Sequence, residues 1–408
     1  MSRLNRSDFK AAIGFYAQKL VPAALGFASL PWLFETAGEA IYGTYSTLAL
    51  LVAALAMLTG TWVTQSALRN FSGPAYAGTT ARHLWQSVVA SAIGAGILAW
   101  ASLRWVFPHI SSSPITLSFA IGVTTAELAL IPVLQVCHWH ITATLAEAIR
   151  TSGAIALIVL GLHLDIPTEL RIELALLLSS ALAIVVMIPA CLATIRPSQP
   201  DSAAHLESWS HMLAYGAPLS FYNGCAMWLQ YFSRAAILRT SDGAGALVIG
   251  SDLALRLVSA FGAPLVASQV PRMMIEYRDG NGTAVDRIIR TLQMALIAAG
   301  VALLTLLGCA HVFGWWIFGS ALVTRGTAIA VIANVIFQLA VCAQKPLELH
   351  DKTLQVAATM AISALAALCL SVVLTPAMRR VVPGAELLIA ATVLYASVVA
   401  FQRRTMPI

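Results

Sequence analysis

The sequence predicts an all-α, polytopic membrane protein that crosses the bilayer about twelve times. The first observation behind this fold class is composition. Hydrophobic residues make up 59% of the 408 residues and charged residues only 10%, and the mean hydropathy is +0.81. Soluble domains contain about 45–50% apolar and about 25% charged residues. A chain this apolar would expose too much hydrophobic surface in water, so lipid is its expected solvent.

The second observation is a series of apolar runs, each close to twenty residues long. A hydrocarbon core of about 30 Å is crossed by about 20 residues of helix. Backbone groups in lipid must be hydrogen-bonded within their own segment, so each run is predicted to be helical. The fifth run is the least clear, because Glu147 and Arg150 lie near its start. The predicted spans are 11–34, 41–64, 85–106, 115–137, 143–162, 172–194, 211–237, 246–268, 290–314, 319–343, 354–375 and 382–401.

The distribution of basic residues favours one orientation. An even number of spans places both termini on the same side, and Arg3, Arg6 and Lys10 lie at the N-terminus. If that side is the cytoplasm, most basic residues of the connections also lie inside, as the positive-inside rule requires. The longest inner connections are predicted near 65–84, 195–210 and 269–289. None is long enough for an extramembrane domain, so we expect the helices and the cavity between them to carry the function.

An internal repeat predicts two pseudo-symmetric lobes. Span 1 carries Pro22 and span 7 carries Pro218, while Ile41-Tyr42-Gly43-Thr44 in span 2 matches Val248-Ile249-Gly250-Ser251 in span 8. Parallel repeats of this kind occur in transporters, in which the substrate site lies between the two halves. Chance similarity between apolar segments is the alternative explanation of so loose a match. The predicted division is an N-terminal six-helix lobe at 1–195, a cytoplasmic linker at 196–210 and a C-terminal six-helix lobe at 211–408.

Two sequence patterns resemble a known family. Leu30-Pro31-Trp32-Leu33-Phe34, followed by Gly38 and Tyr42-Gly43-Thr44-Tyr45, is similar to the opening of polysaccharide transporters, and so is Tyr215-Gly216-Ala217-Pro218-Leu219. These are the O-antigen and oligosaccharide flippases of the multidrug/oligosaccharidyl-lipid/polysaccharide (MOP) superfamily. The resemblance implies twelve spans in two MOP-type lobes. It also implies export of undecaprenyl-diphosphate-linked sugar units across the bacterial inner membrane, with a polysaccharide polymerase and a chain-length regulator as partners.

Four ionisable residues lie deep inside predicted spans, where each costs roughly 2.5–3.5 kcal/mol on insertion scales. They are Lys19, Glu127, Asp252 and Arg256. Lys19 and Arg256 are candidate ligands of the substrate diphosphate, since Lys and Arg are the usual phosphate-binding cations. The alternatives are that Lys19 snorkels to the interface and that Asp252 and Arg256 form a self-neutralising i,i+4 pair. Glu127 and Asp252 are candidate sites for a coupling H⁺ or Na⁺, with a purely structural role as the alternative.

Polar residues on spans 7 and 10 complete the predicted site. They recur at helical spacing, so they should face other helices or water and not lipid. Amides suit sugar binding, but they also serve in helix–helix adhesion, and the sequence leaves both open. The substrate-binding candidates of this group are Asn223, Gln230, Arg234 and Asn334.

Other functional classes have little support in the sequence. The chain contains no Walker A motif, and its six cysteines show no metal-binding spacing, so we expect no metal, cofactor or ATP hydrolysis. Its basic residues form no face that would bind nucleic acid. A multidrug or organic-cation antiporter of the same superfamily is the second hypothesis. A membrane enzyme, such as a polysaccharide polymerase or glycosyltransferase, is the third. We predict that the chain is not an enzyme, because its outer connections carry few catalytic side chains.

Overall fold

The structure is a computed structural model in which every described regular element is helical. The prediction of an all-α fold is therefore confirmed. The described residues are 6–70, 79–105, 111–136, 139–194, 209–238, 244–312, 325–374 and 384–405.

Thirteen α-helices are described within these ranges, and a short 3₁₀ turn at Gly161–His163 follows the fifth. The left-handed backbone of Gly38, with φ of 86°, separates the first two helices. The helices are α1 (Arg6–Ala37), α2 (Glu39–Asn70), α3 (Thr79–Trp105), α4 (Pro114–Val136), α5 (His140–Leu160), α6 (Thr168–Thr194), α7 (Trp209–Leu238), α8 (Ala244–Arg278), α9 (Gly282–Val312), α10 (Arg325–Ala343), α11 (Lys345–Leu349), α12 (Thr353–Val373) and α13 (Ala385–Thr405).

Eleven candidate spans within the described residues are long and apolar enough to cross a membrane. The span predicted at 211–237 forms α7 but is not among the eleven, because Asn223, Gln230 and Arg234 lower its hydropathy. Large apolar side chains such as Ile97 and Phe119 remain exposed on the outside of the helices, as expected for a surface covered by lipid. Apart from the five-residue α11, the described residues form twelve long helices, and the protein is a multi-pass membrane protein.

The inner connection predicted at 269–289 is corrected by the structure. Helix α8 continues to Arg278 and α9 begins at Gly282, so only a tight turn separates the two helices. Gly280 lies in this turn with a φ of 72°, and the side-chain oxygen of Asn281 accepts a bond from the amide of Ala284. Hydropathy marks only the apolar part of a helix, and these helices extend beyond that part.

The chain divides into two compact units. The first comprises 1–25 and 48–228, and the second comprises 26–47 and 229–408, so α1, α2 and α7 each contribute to both. In the first unit, α4 packs against α3 and α6, and α5 packs against α6. In the second unit, α10 packs against α8, α9 and α13, and α13 packs against α12. The predicted lobes at 1–195 and 211–408, with their linker, remain a prediction.

A glycine allows α3 and α4 to approach closely in the first unit. A Cβ atom built on Gly122 would lie 2.9 Å from the backbone carbonyl oxygen of Ala92, which is too close for a real contact. Small residues at such positions allow the van der Waals packing on which helix association in membranes depends. The α3–α4 contact therefore requires glycine at position 122.

Substituting Gly122 with alanine is expected to destabilise the protein despite alanine's higher helix propensity. The new methyl group meets backbone and not a flexible side chain, and overpacking of this kind costs about 1–3 kcal/mol. Gly94→Ala on α3 is the matched control, because nothing lies within 4 Å of a Cβ built there. Thermal unfolding in detergent should show a lower Tm for Gly122→Ala than for Gly94→Ala. Equal Tm values would contradict this account of the contact.

Candidate functional site

A cluster of buried polar groups in the second unit surrounds Asp252 of α8. One carboxylate oxygen forms an ion pair with the guanidinium of Arg234 on α7. The other accepts hydrogen bonds from the hydroxyl of Tyr42, at 2.5 Å, and from that of Ser46, at 2.7 Å. All four residues are buried. Three helices therefore converge on a single carboxylate.

The geometry of α2 explains why two hydroxyls reach the same oxygen. Tyr42 and Ser46 are four residues apart, so their side chains lie on one face of the helix, one turn apart. At the beginning of the same helix, Glu39 accepts a hydrogen bond of 2.6 Å from the backbone amide of Gly245, next to the start of α8. A carboxylate at a helix N-terminus is favourable, because the first amides have no partner within the helix. This contact aligns α2 with α8 and brings its hydroxyls to Asp252.

An amide pair lies beside this cluster along α7. The side-chain nitrogen of Gln230, one turn before Arg234, donates to the side-chain oxygen of Asn334 on α10 at 3.3 Å. The Asn334 amide in turn donates to the backbone carbonyl of Ala330 at 2.8 Å. Both amide side chains are buried. The second unit thus contains a polar row made of four of the residues that the sequence predicts as site residues.

A second ion pair, with a buried carboxylate, lies in the first unit. The carboxylate of Glu127 on α4 is fully buried, and its Oε1 lies 2.9 Å from Nε of Arg150 on α5. The hydroxyl of Ser180 on α6 lies next to the same carboxylate and is 3.0 Å from the hydroxyl of Thr124. Buried Glu147 lies on the same helix as Arg150, three residues before it. Each unit therefore encloses one carboxylate that is paired with an arginine.

The remaining predicted residues have different surroundings. Asn223 is half-buried, and its amide donates to the backbone carbonyl of Leu219 within α7. Arg256 is partly exposed one turn after Asp252, and it forms no ion pair with any residue that the structure describes. Lys19 belongs to α1, but its side chain lies outside the described ones. Within the described residues, no cluster of histidine, cysteine, aspartate and glutamate could hold a metal ion.

Comparison with solved structures supports the fold. The Vibrio cholerae MATE transporter VcmN, in a point-mutant form, aligns with a TM-score of 0.64 and 11% identity over 98% of this chain and 99% of its own. A MOP superfamily transporter from Pyrococcus furiosus, described as having a binding pocket of reversed polarity that suggests a different function, aligns with a TM-score of 0.63 and 13% identity over 97% and 93%. A MATE transporter in the straight conformation aligns with a TM-score of 0.62 and 14% identity over 97% and 95%.

The chain has the fold of MATE transporters of the MOP superfamily. Identities this low show the fold alone. No family model matches the sequence, and no curated protein matches it.

Within the MATE fold, several residues of the two clusters were missed by sequence reasoning as site residues, among them Tyr42, Ser46 and Arg150. Tyr42 and Ser46 were overlooked because they carry no charge. Two features of the sequence could have indicated them as site residues: Tyr42 lies in a repeated motif, and Ser46 follows it by four residues. Arg150 was predicted to lie near the start of the fifth span, at 143–162, and was not considered as a site residue. In the structure α5 begins at His140, and Arg150 lies ten residues into the helix. The feature of the sequence that could have indicated Arg150 was Glu127, a carboxylate in the centre of the preceding span.

Proposed function

We propose that the protein is a flippase that exports an undecaprenyl-diphosphate-linked oligosaccharide, such as an O-antigen repeat unit, across the bacterial inner membrane by alternating access. The prenyl tail remains in the lipid while the sugar diphosphate passes through the protein. Both termini lie in the cytoplasm, and a polysaccharide polymerase acts on the exported unit. The protein performs no covalent chemistry on its cargo.

The state of the intramembrane charges carries this proposal. Two of the buried carboxylates that could attract a cationic cargo, Glu127 and Asp252, are each paired with an arginine. Among the described residues of the membrane-spanning helices, Arg256 is a cation without an ion-pair partner. Neutralised carboxylates and a cation without an ion-pair partner suit an anionic diphosphate, which guanidinium groups bind through two parallel hydrogen bonds.

Two further observations support an anionic cargo. The motifs around Pro31 and Pro218 resemble those of polysaccharide transporters. The Pyrococcus furiosus transporter with the same fold is described as having a binding pocket of reversed polarity that suggests a different function, so pocket polarity differs within the MOP superfamily.

A multidrug or organic-cation antiporter is the second candidate, and the MATE transporters among the structural neighbours favour it. In that case Glu127 or Asp252 exchanges its arginine for the cargo during the cycle. The cost of leaving a buried arginine without its counter-charge disfavours such an exchange at Asp252, because Arg234 is itself fully buried.

Deletion of the gene in its host separates the two candidates. The flippase proposal predicts loss of a surface polysaccharide and accumulation of its lipid-linked repeat unit, both reversed by the wild-type gene. Neighbouring genes for glycosyltransferases and a polymerase are expected. Unchanged surface polysaccharide together with increased sensitivity to cationic drugs would overturn the proposal and favour the antiporter.

A further inference from the structure

An open groove lies between α3 and α4 of the first unit, both of which are candidate membrane spans. Its volume is about 640 Å³, within the range of about 300–1,000 Å³ that small-molecule sites occupy. Helix α3 contributes Ile93, Ile97 and Trp100 to its lining, and α4 contributes Ile115 and Phe119. Each of these five side chains is at least 46% exposed. The groove therefore opens towards the lipid.

Two glycines of the lining give the groove its depth. Gly122 allows α4 to approach the backbone of α3, because a Cβ atom built there would lie 2.9 Å from the carbonyl oxygen of Ala92. A Cβ atom built on Gly96 would lie 3.6 Å from the carbonyl oxygen of Ser118, which is an ordinary contact distance. Glycine at position 122 is thus required for helix contact, whereas glycine at position 96 leaves space below the larger side chains.

A cation lies on the face of α3 that lines the groove. Ile93, Ile97, Trp100 and Arg104 recur at helical spacing, and Arg104 is exposed one turn after Trp100. Within the described parts of the chain, no ion pair involves Arg104. The helix rises by about 16 Å from Ile93 to Arg104, which is close to half of a hydrocarbon core of about 30 Å. This face therefore has the length of one leaflet, with its charge next to the last residue of the span, Trp105.

We propose that the groove binds an anionic phospholipid, with one acyl chain along the groove and the phosphate group on Arg104. Apolar side chains and glycines dominate the lining, and Ser118 supplies the one hydroxyl among the described lining residues, which donates to the carbonyl of Pro114 within α4. A guanidinium binds phosphate oxygens through parallel hydrogen bonds. In the orientation predicted from the basic residues, the lipid belongs to the outer leaflet. This inference does not depend on the identity of the cargo.

The shape and charge of the site favour one bound phospholipid over the lipid that covers the rest of the surface. Acyl chains elsewhere in the bilayer are equally apolar, so burial from water contributes nothing to the preference. The chain in the groove instead gains van der Waals contacts on several sides, which an empty groove would lack. A helix of a second copy is a poorer match, because helix interfaces in membranes are rich in small residues and the exposed side chains of this groove are large.

Native mass spectrometry of the delipidated protein tests the site. Dipalmitoyl phosphatidylglycerol is titrated in detergent, and the fraction of protein that retains one lipid gives the Kd. Gly96→Leu fills the groove without meeting backbone at its Cβ, and it is expected to abolish retention. Gly94→Leu is the matched control, because Gly94 lies on the same helix outside the groove and nothing lies within 4 Å of a Cβ built there. Equal retention by the two variants would overturn the proposal.

Arg104→Gln tests the phosphate contact without filling the groove. Its Tm is expected to match that of the wild type, since the side chain is exposed, while the Kd rises at least about tenfold, the size of one charge-assisted hydrogen bond. Arg272→Gln, at an exposed position of the second unit, should leave the Kd unchanged. Dipalmitoylglycerol, which lacks the phosphate, should bind the wild type as weakly as phosphatidylglycerol binds Arg104→Gln. An unchanged Kd in Arg104→Gln would contradict the phosphate contact.

Other occupants of the groove would give different results. A wild-type dimer that Gly96→Leu converts to a monomer would assign the groove to a second copy of the chain and overturn the proposal. Binding of undecaprenyl phosphate without binding of phosphatidylglycerol would assign it to a prenyl chain and also overturn the proposal. Neither result would contradict the proposed flippase function, so the two proposals fail separately.

Discussion

Replacing Asp252 with asparagine is expected to destabilise the protein by about 3–5 kcal/mol, the usual cost of leaving one charge of a buried ion pair alone. The substitution keeps the shape of the side chain but removes its charge, so the guanidinium of fully buried Arg234 loses its counter-ion. The hydroxyls of Tyr42 and Ser46 lose a charged acceptor at the same time. The effect is measured by thermal unfolding in detergent, in which loss of the monodisperse peak reports the unfolded fraction.

Two comparisons control this prediction. Asp286→Asn makes the same chemical change at an exposed position near the start of α9 and should leave the Tm unchanged. The double variant Arg234→Met/Asp252→Asn removes both charges and should recover part of the stability, because an uncompensated buried charge is the main source of the loss. A single variant as stable as wild type, or a double variant less stable than the sum of its singles, would contradict the central role of the pair.

Replacing Lys19 and Arg256 together with alanine is expected to abolish most glycan export. Each contact between a cation and a phosphate contributes about 1.5–3 kcal/mol, so loss of two such contacts lowers affinity for the diphosphate by more than about a hundredfold. Export is measured as surface polysaccharide in the deletion strain complemented with each variant, with protein amounts matched by immunoblot. Expression and Tm close to wild type are expected, because Arg256 forms no ion pair among the described residues.

Arg272→Ala is the matched control for this experiment. Arg272 lies on the same helix as Arg256 but is exposed near the end of α8, and its removal should leave export unchanged. Unimpaired export by the Lys19/Arg256 double variant would show that the two cations are not diphosphate ligands. In that case snorkelling to the interface would be the better explanation for Lys19.

The fold class could be predicted from the sequence because a bilayer imposes a simple rule. Each span must be apolar over about twenty residues, and α4, α6 and α12 follow that rule closely. The rule misses α7, whose polar side chains are buried among protein groups and not exposed to lipid. The helix ends that this rule predicts are also approximate, because a helix can continue beyond its apolar part. Helix α8, for example, extends to Arg278.

The pairing of the buried charges could be predicted only in part. The i,i+4 spacing of Asp252 and Arg256 suggested a pair within one helix, yet the structure pairs Asp252 with Arg234 of another helix. Spacing within a helix is visible in the sequence, whereas the rotation of one helix against its neighbour depends on packing. The partnership of Glu127 with Arg150 was not predicted for the same reason. Gln230 and Asn334 were both singled out by their polarity at membrane depth, but their hydrogen bond required the structure.

Reconstitution in proteoliposomes tests the central claim most directly: that the protein moves an anionic, lipid-linked cargo. Fluorescently labelled undecaprenyl-diphosphate oligosaccharide and a lipophilic organic cation are offered to the same vesicles, and movement between leaflets or uptake is followed for each. The account predicts that the wild-type protein speeds movement of the lipid-linked oligosaccharide and that the Lys19/Arg256 double variant does not. Uptake of the cation without movement of the oligosaccharide would contradict it.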